Sequence, residues 1–274
     1  MCSVYTSNSE RYEKVNSGVI GVHVCCRFLC VGPLGHKVVI AVAQRHLTEK
    51  TKKNIEKFID YDLKKDAVWM DVHRHDKHIA YTNTWHTSFF DKDFNYNPNI
   101  TKKMSTGDVF RALSLAEATF RNNGYKQHSD SVVVFHIRSL IHFVGDAQCP
   151  SHTYYDGLTS KWGKIQLNGR TFKSFHTLYD AIPSLIWGKD MTPDEIAAQI
   201  DNASKREIKK IVAGDFYDWL SSAARMNRVI YDWNPDCPEV LRDDTVQLST
   251  ELVSTQLRDA GYRLAYLLNL YFGN

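Results

Sequence analysis

From Leu34 onward, apolar and polar positions follow one another mostly at helical spacing. Leu34, Val38, Val42 and His46 recur one turn apart and predict a helix over residues 34–46, with Thr48 as the N-cap of a second helix running to about Ile59. Thr106 offers the cap for a run ending near Arg121, where Asn122, Asn123 and Gly124 supply a left-handed stop. Thr192-Pro193-Asp194-Glu195 joins a capping box to a proline at the first helical position and opens another helix. From Asp244 to Phe272, Leu252, Leu257, Ala260, Leu264, Leu267 and Leu268 mark a long amphipathic helix. Two stretches break the pattern. Residues 62–99 are rich in aromatics, His and Asp without a sustained period and read as loop with short helical pieces. Residues 164–172 alternate around Asn168-Gly169, a strong hairpin signal. With no linker or repeat between these elements, the fold class expected is all-α: one mostly helical domain with a small β-hairpin.

The first thirty residues differ. Residues 18–31 (GVIGVHVCCRFLCV) form an apolar run of 14, too short to span a bilayer as a helix. The run resembles the hydrophobic part of a secretory signal, although His23 and Arg27 interrupt it, and a membrane anchor or a simple extension are the alternatives. The organisation expected is a leader over residues 1–30, a domain over 31–274, and a secreted or endomembrane, lysosome-like location. Cys2, Cys25, Cys26 and Cys30 fall in the leader, so cleavage would leave Cys149 and Cys237, either as a disulfide or as two free thiols. The sequons at Asn99 and Asn202 suit a secreted glycoprotein.

Composition narrows the function classes. With 274 residues, 43% hydrophobic and 24% charged, the chain is neither disordered nor low-complexity. Its net charge of +3 gives no strong basic field for gripping nucleic acid, so any phosphate binding must be local. The 12 histidines are the oddity, since imidazole is the commonest metal ligand. His142 with Asp146 and His176 with Asp180 are spaced by four, which on a helix puts both side chains on one face, able to grip a metal together. A third such pair, His152 with Asp156, reads as accidental. An isolated pair of this kind is more often a core histidine held by a carboxylate.

The wider set changes that balance. VGPLGH ends at His36, WMDVHR contains Asp71 and Arg74, TWHTSF places His86 fifteen residues after Asp71, HFVGDAQCPSH carries His142, Asp146 and His152, and SFHTLYD carries His176 and Asp180. In this order the motifs resemble those of the class I zinc-dependent single-strand nucleases, the P-one and S-one type, and the resemblance runs from Val31 through QLRDAGYRLAYLLN near the C-terminus. It implies three Zn²⁺ in a cleft of one mostly helical domain. By matched position Asp71, His86, His142 and Asp146 hold the first ion. Asp146 bridges to a second that also takes His36 and the main chain of Val31, and His152, His176 and Asp180 hold the third.

The resemblance further implies hydrolysis of single-stranded DNA or RNA to 5′-phosphate products by a monomer, with removal of 3′ phosphates from nucleotides in many members. Asp71 and Asp146 would serve the reaction as ligands, and Arg74 would hold phosphate through its fork of donors. Three zincs and three aspartates leave about three surplus positive charges, a local attraction for phosphodiesters. Departures from the family pattern bear on the substrate. Val31 stands in place of Trp, and Phe89 replaces a polar base-contacting residue, which makes it a stacking surface or core. Ser160, Lys161 and Trp162 replace a Gly-Gly-Asn loop, and Cys149 stands where Gln is common, as a structural thiol, an oxidisable one or a stray metal ligand. His73, His75 and His78 read as a solvated loop rather than ligands. Two rival readings stand beside the nuclease: a catalytically impaired zinc- or nucleic-acid-binding relative, and a three-zinc phospholipase C, whose motif ends in Glu where this chain has Asp180.

Overall fold

The computed structural model describes residues 32–101, 104–155, 163–236 and 238–273. Among them are eleven α-helices and two small two-stranded sheets, the all-α architecture with a hairpin that the sequence implies. Val31, Asp156, Ser160, Lys161, Trp162 and Cys237, and the whole of residues 1–30, lie outside the described residues.

Two helices form the axis. α1 (Gly32–Arg45) is enclosed by α11 (Thr245–Phe272), α8 (Pro193–Ile200), α7 (Phe175–Trp187) and α6 (Asp130–Asp146). The stripe read from Leu34, Val38, Val42 and His46 understates this burial, because every residue from Val38 to Ala43 is at most 1% exposed. His46 lies just past the helix, half-buried. A helix apolar on all sides belongs at the centre of a bundle. Its C-terminal end is tied by Asp201, which accepts from Arg45 Nε at 2.6 Å, His46 Nε2 at 2.9 Å and the Tyr262 hydroxyl at 2.8 Å. One carboxylate thus joins α1, α11 and the residue after α8.

Local chemistry sets the other boundaries. Thr48 caps α2 (Glu49–Ile55) by accepting from Thr51 N, but that helix stops at Ile55, short of the expected Ile59. α5 (Val109–Phe120) is capped by Asp108 and not by Thr106. The Thr106 hydroxyl and carbonyl are engaged by Thr84 and Trp85 Nε1, so the next side chain able to accept from the first turn takes the role. Asn122 and Asn123 adopt positive φ after α5, the left-handed stop expected there. Thr192 and Glu195 form the full capping box with Pro193 in the first turn of α8. The hairpin is present as β3 (Ile165–Leu167) and β4 (Arg170–Phe172), turning at Asn168 and Gly169 with positive φ.

Residues 62–99 contain α3 (Trp69–His73), α4 (Pro98–Thr101), 3₁₀ turns at Leu63–Asp66 and Ala80–His86, and β1 (Ser88–Phe90). β1 pairs in parallel with β2 (Thr153–Tyr155), Ser88 opposite Thr153 and Phe90 opposite Tyr155. No sequence pattern announces this pairing, yet it places His86 and His152 side by side.

The Asp201 junction carries a pH dependence. Burial opposes ionisation, but the donors Arg45, His46 and Tyr262 outweigh it and hold the carboxyl below its ordinary range. The folded state then binds this proton less readily than the unfolded chain, so the contribution is complete above the unfolded pKa and is lost as pH falls through the folded one. In denaturation curves taken from about pH 6 down to 3, Asp201→Asn should be less stable than wild type at the upper end, with the gap closing as the wild-type carboxyl protonates near and below about pH 4. A constant gap would refute the assignment.

Candidate metal centre

Four elements deliver the side chains. α1 brings His36 on its second turn, α3 brings Asp71, the 3₁₀ turn ends on His86, and α6 carries His142 and Asp146 on one face at its C-terminal end. All five are at most 4% exposed, and His36, His142 and Asp146 are fully buried. Asp146 is the centre. Its Oδ1 lies 3.4 Å from His36 Nε2, and its Oδ2 lies 2.9 Å from His86 Nδ1 and 3.2 Å from His142 Nε2. Asp71 faces the same imidazoles, with Oδ1 3.5 Å from His86 Nδ1 and Oδ2 3.7 Å from His142 Nε2. The rings of His36 and His142 stack at 4.1 Å.

A second group adjoins the first. Pro150–His152, a 3₁₀ turn, places His152 Nδ1 3.8 Å from Asp146 Oδ1. The first turns of α7 contribute His176 and Asp180, whose Nε2 and Oδ2 are 3.2 Å apart, with the His176 ring 4.7 Å from that of His152. The eight side chains expected at the metals therefore meet in one continuous cluster. Arg74 does not join it: half-buried at the end of α3, it points its Nε to His75 Nε2 at 3.4 Å. His73 pairs with Asp76 and stacks on Trp69, while His75 and His78 are exposed. A cavity of about 490 Å³ opens behind Trp85, lined by Tyr81, Arg111 and His136, and includes none of the cluster residues.

Protons alone leave the cluster poorly satisfied. Asp71 Oδ1 and Oδ2, Asp146 Oδ1, His86 Nε2, His152 Nε2 and both ring nitrogens of His36 are buried without a hydrogen-bond partner. Each such atom costs about 1–3 kcal/mol. Burial lowers the pKa of His36, reinforced by neighbouring His142. Burial likewise dominates at His152, lowering it to about 3 against the pull of Asp146. At His142 burial is overcome by Asp146 and Asp71, raising it to about 9. Asp146 is held well below the carboxylate range by His152 and His142 despite its burial. Neutral imidazole nitrogens and carboxylate oxygens facing one point are the donor set that zinc accepts. The donor atoms of His36, His142 and Asp146 lie within 4.8 Å of one another, as do those of Asp71, His86 and His142, and those of Cys149, His152 and Asp180. Cys149, for which the sequence leaves a structural, an oxidisable or a metal-ligand role open, is a free, buried thiol whose pKa burial and Asp180 push up.

Outer contacts fix the rings. His142 Nδ1 donates to the Ala67 carbonyl at 2.9 Å and His152 Nδ1 donates to the His86 carbonyl, which turns each Nε2 toward the cluster, where a metal would displace any proton it carries. Gly145 admits His36 to the helix face, since a Cβ there would sit 2.9 Å from His36 Nδ1. Gly145→Ala is expected to cost about 1–3 kcal/mol of stability by overpacking and to lower zinc stoichiometry in elemental analysis; unchanged values of both would show that His36 has room to move.

A family model described as S1/P1 Nuclease matches residues 31–273. No curated protein matches the chain. Nearly the whole sequence is thus matched, and the imidazoles and carboxylates meet as that chemistry requires: the chain belongs to the S1/P1 nuclease family, zinc-dependent hydrolases of phosphoester bonds in nucleic acids.

Proposed function

We propose that the chain is an endonuclease hydrolysing single-stranded DNA and RNA to 5′-phosphate products, with 3′-nucleotidase activity, and that it works with three zinc ions. The observation that carries this reading is the set of buried donor atoms around Asp146 left without hydrogen-bond partners. Asp71, His86, His142 and Asp146 would hold one ion, Asp146 with His36 and the main chain of Val31 a second, and His152, His176 and Asp180 the third. When bound, zinc supplies Lewis acidity to water and to phosphoryl oxygen.

The chain's own residues supply position and selectivity. Asp146 directs one oxygen toward His36 and the other toward His86 and His142, the orientation needed to span two ions. Gly32, at φ 58°, packs so closely on the Asp180 carbonyl that a Cβ would clash with it, which holds the start of α1 against α7. Half-buried Phe89 and Tyr154 lie opposite one another on β1 and β2, rings 5.4 Å apart, just after His86 and His152. They offer a base a stacking surface worth about 1–3 kcal/mol. Arg74, three residues beyond Asp71, is proposed to turn its fork of donors to phosphate when substrate binds. Loss of residues 1–30 and export to a secreted or endomembrane compartment as a monomer complete the reading, and both sequon asparagines, Asn99 and Asn202, are exposed.

Cleavage of single-stranded oligonucleotides should fall by more than about 100-fold on chelation and in His142→Ala, beyond the loss typical of an outer partner; retained cleavage in either case would remove the metal mechanism, and diacylglycerol release without cleavage would favour the phospholipase reading. A chain with extra residues ahead of Val31 is expected to bind one zinc fewer than a chain beginning there, because an internal amide nitrogen has no lone pair to give. Equal stoichiometry would take Val31 out of the ligand set.

A further inference from the structure

We propose that Cys149 is a protein ligand of the third metal, so that this site is a thiolate site closed by four side chains: Cys149, His152, His176 and Asp180. The inference rests on the metal reading above and goes beyond it in the identity of the donor. Three observations carry it. The donor atoms of Cys149, His152 and Asp180 lie within 4.8 Å of one another and all three residues are buried. His152 is committed through Nδ1 to the His86 carbonyl, and its Nε2 is buried without a partner. Cys149 Sγ is 3.1 Å from Ser151 Oγ, which donates to Asp180 Oδ1 at 3.3 Å, so the thiol already faces the carboxylate that serves the metal.

The surroundings shield the thiol from solvent. Cys149 is 5% exposed, and the cavity it borders with Gln148, Tyr179 and Gln256 holds about 20 Å³, room for about one water. Among the described residues no second thiol lies beside it. On metal binding the Cys149 S–H bond breaks, its proton passes to the buffer and the S–Zn bond forms, as for other cysteine ligands. Four protein donors fill the tetrahedral shell that zinc prefers, and a filled shell leaves no position for a phosphate oxygen. His176 is the donor that can yield, since its side chain is 31% exposed while Cys149, His152 and Asp180 are buried. Cys149, His152 and Asp180 would thus hold the third metal from the buried side, with His176 the donor nearest solvent.

Reconstitution of the processed chain with cobalt(II) tests this by absorption. A thiolate-to-cobalt charge-transfer band in the near ultraviolet is expected in wild type, lost completely in Cys149→Ser and retained in His176→Ala. Visible ligand-field bands without the near-ultraviolet band in wild type, or a band that persists in Cys149→Ser, would overturn the proposal while leaving the metal cluster intact. Failure of wild type to bind cobalt at all would instead overturn the metal reading and this proposal with it. Should Cys149→Ser not fold, cadmium-113 resonance of the wild-type protein decides: one signal shifted downfield by sulfur supports the thiolate, and signals only in the nitrogen and oxygen range refute it.

Discussion

The fold is organised around one carboxylate that cannot remain alone. Asp146 is fully buried at the C-terminal end of α6, where the helix carbonyls add negative potential to its own charge. Removing such a charge from water is affordable only beside cationic or hydrogen-bonding partners. Those partners come from far apart in the chain: His36 from α1, His86 from the 3₁₀ turn and His142 from one turn earlier on α6. The bundle must bring these segments to one point, and the packing of α1 among α6, α7, α8 and α11 does so.

How much of this was legible follows from the range of each interaction. The elements decided by neighbours in sequence could be read: the Thr192 box, the Asn122-Asn123 stop and the Asn168-Gly169 hairpin each rest on contacts within a few residues. The paired His142 and Asp146 were visible because helical spacing alone puts them on one face. Asp71 and His86 were legible only through the family's motif order, since no local period links an α-helical turn to a 3₁₀ turn fifteen residues later. The cap of α5 was misplaced by two residues because Thr106 and Asp108 are both able acceptors, and the choice depends on Thr84 and Trp85 occupying the first. β1 and β2 were invisible, being three residues each and joined across more than sixty positions.

The arrangement also explains how a nearly neutral chain can address a polyanion. Bound zinc would concentrate positive charge at the cluster, in a pocket of low dielectric, instead of spreading it over the surface. The aromatic pair Phe89 and Tyr154 follows directly on two of the donors, so the surface that could receive a base is built by the same backbone that holds the imidazoles. Recognition and chemistry share their scaffold.

That shared backbone has a mechanical consequence. The parallel strands join the segment after His86 to the segment after His152, and His152 itself is fastened to the His86 carbonyl. Strain at one group of donors is therefore transmitted to the other without passing through the bundle. The two groups of donors are positioned as one unit, and a change that displaces either one disturbs the other.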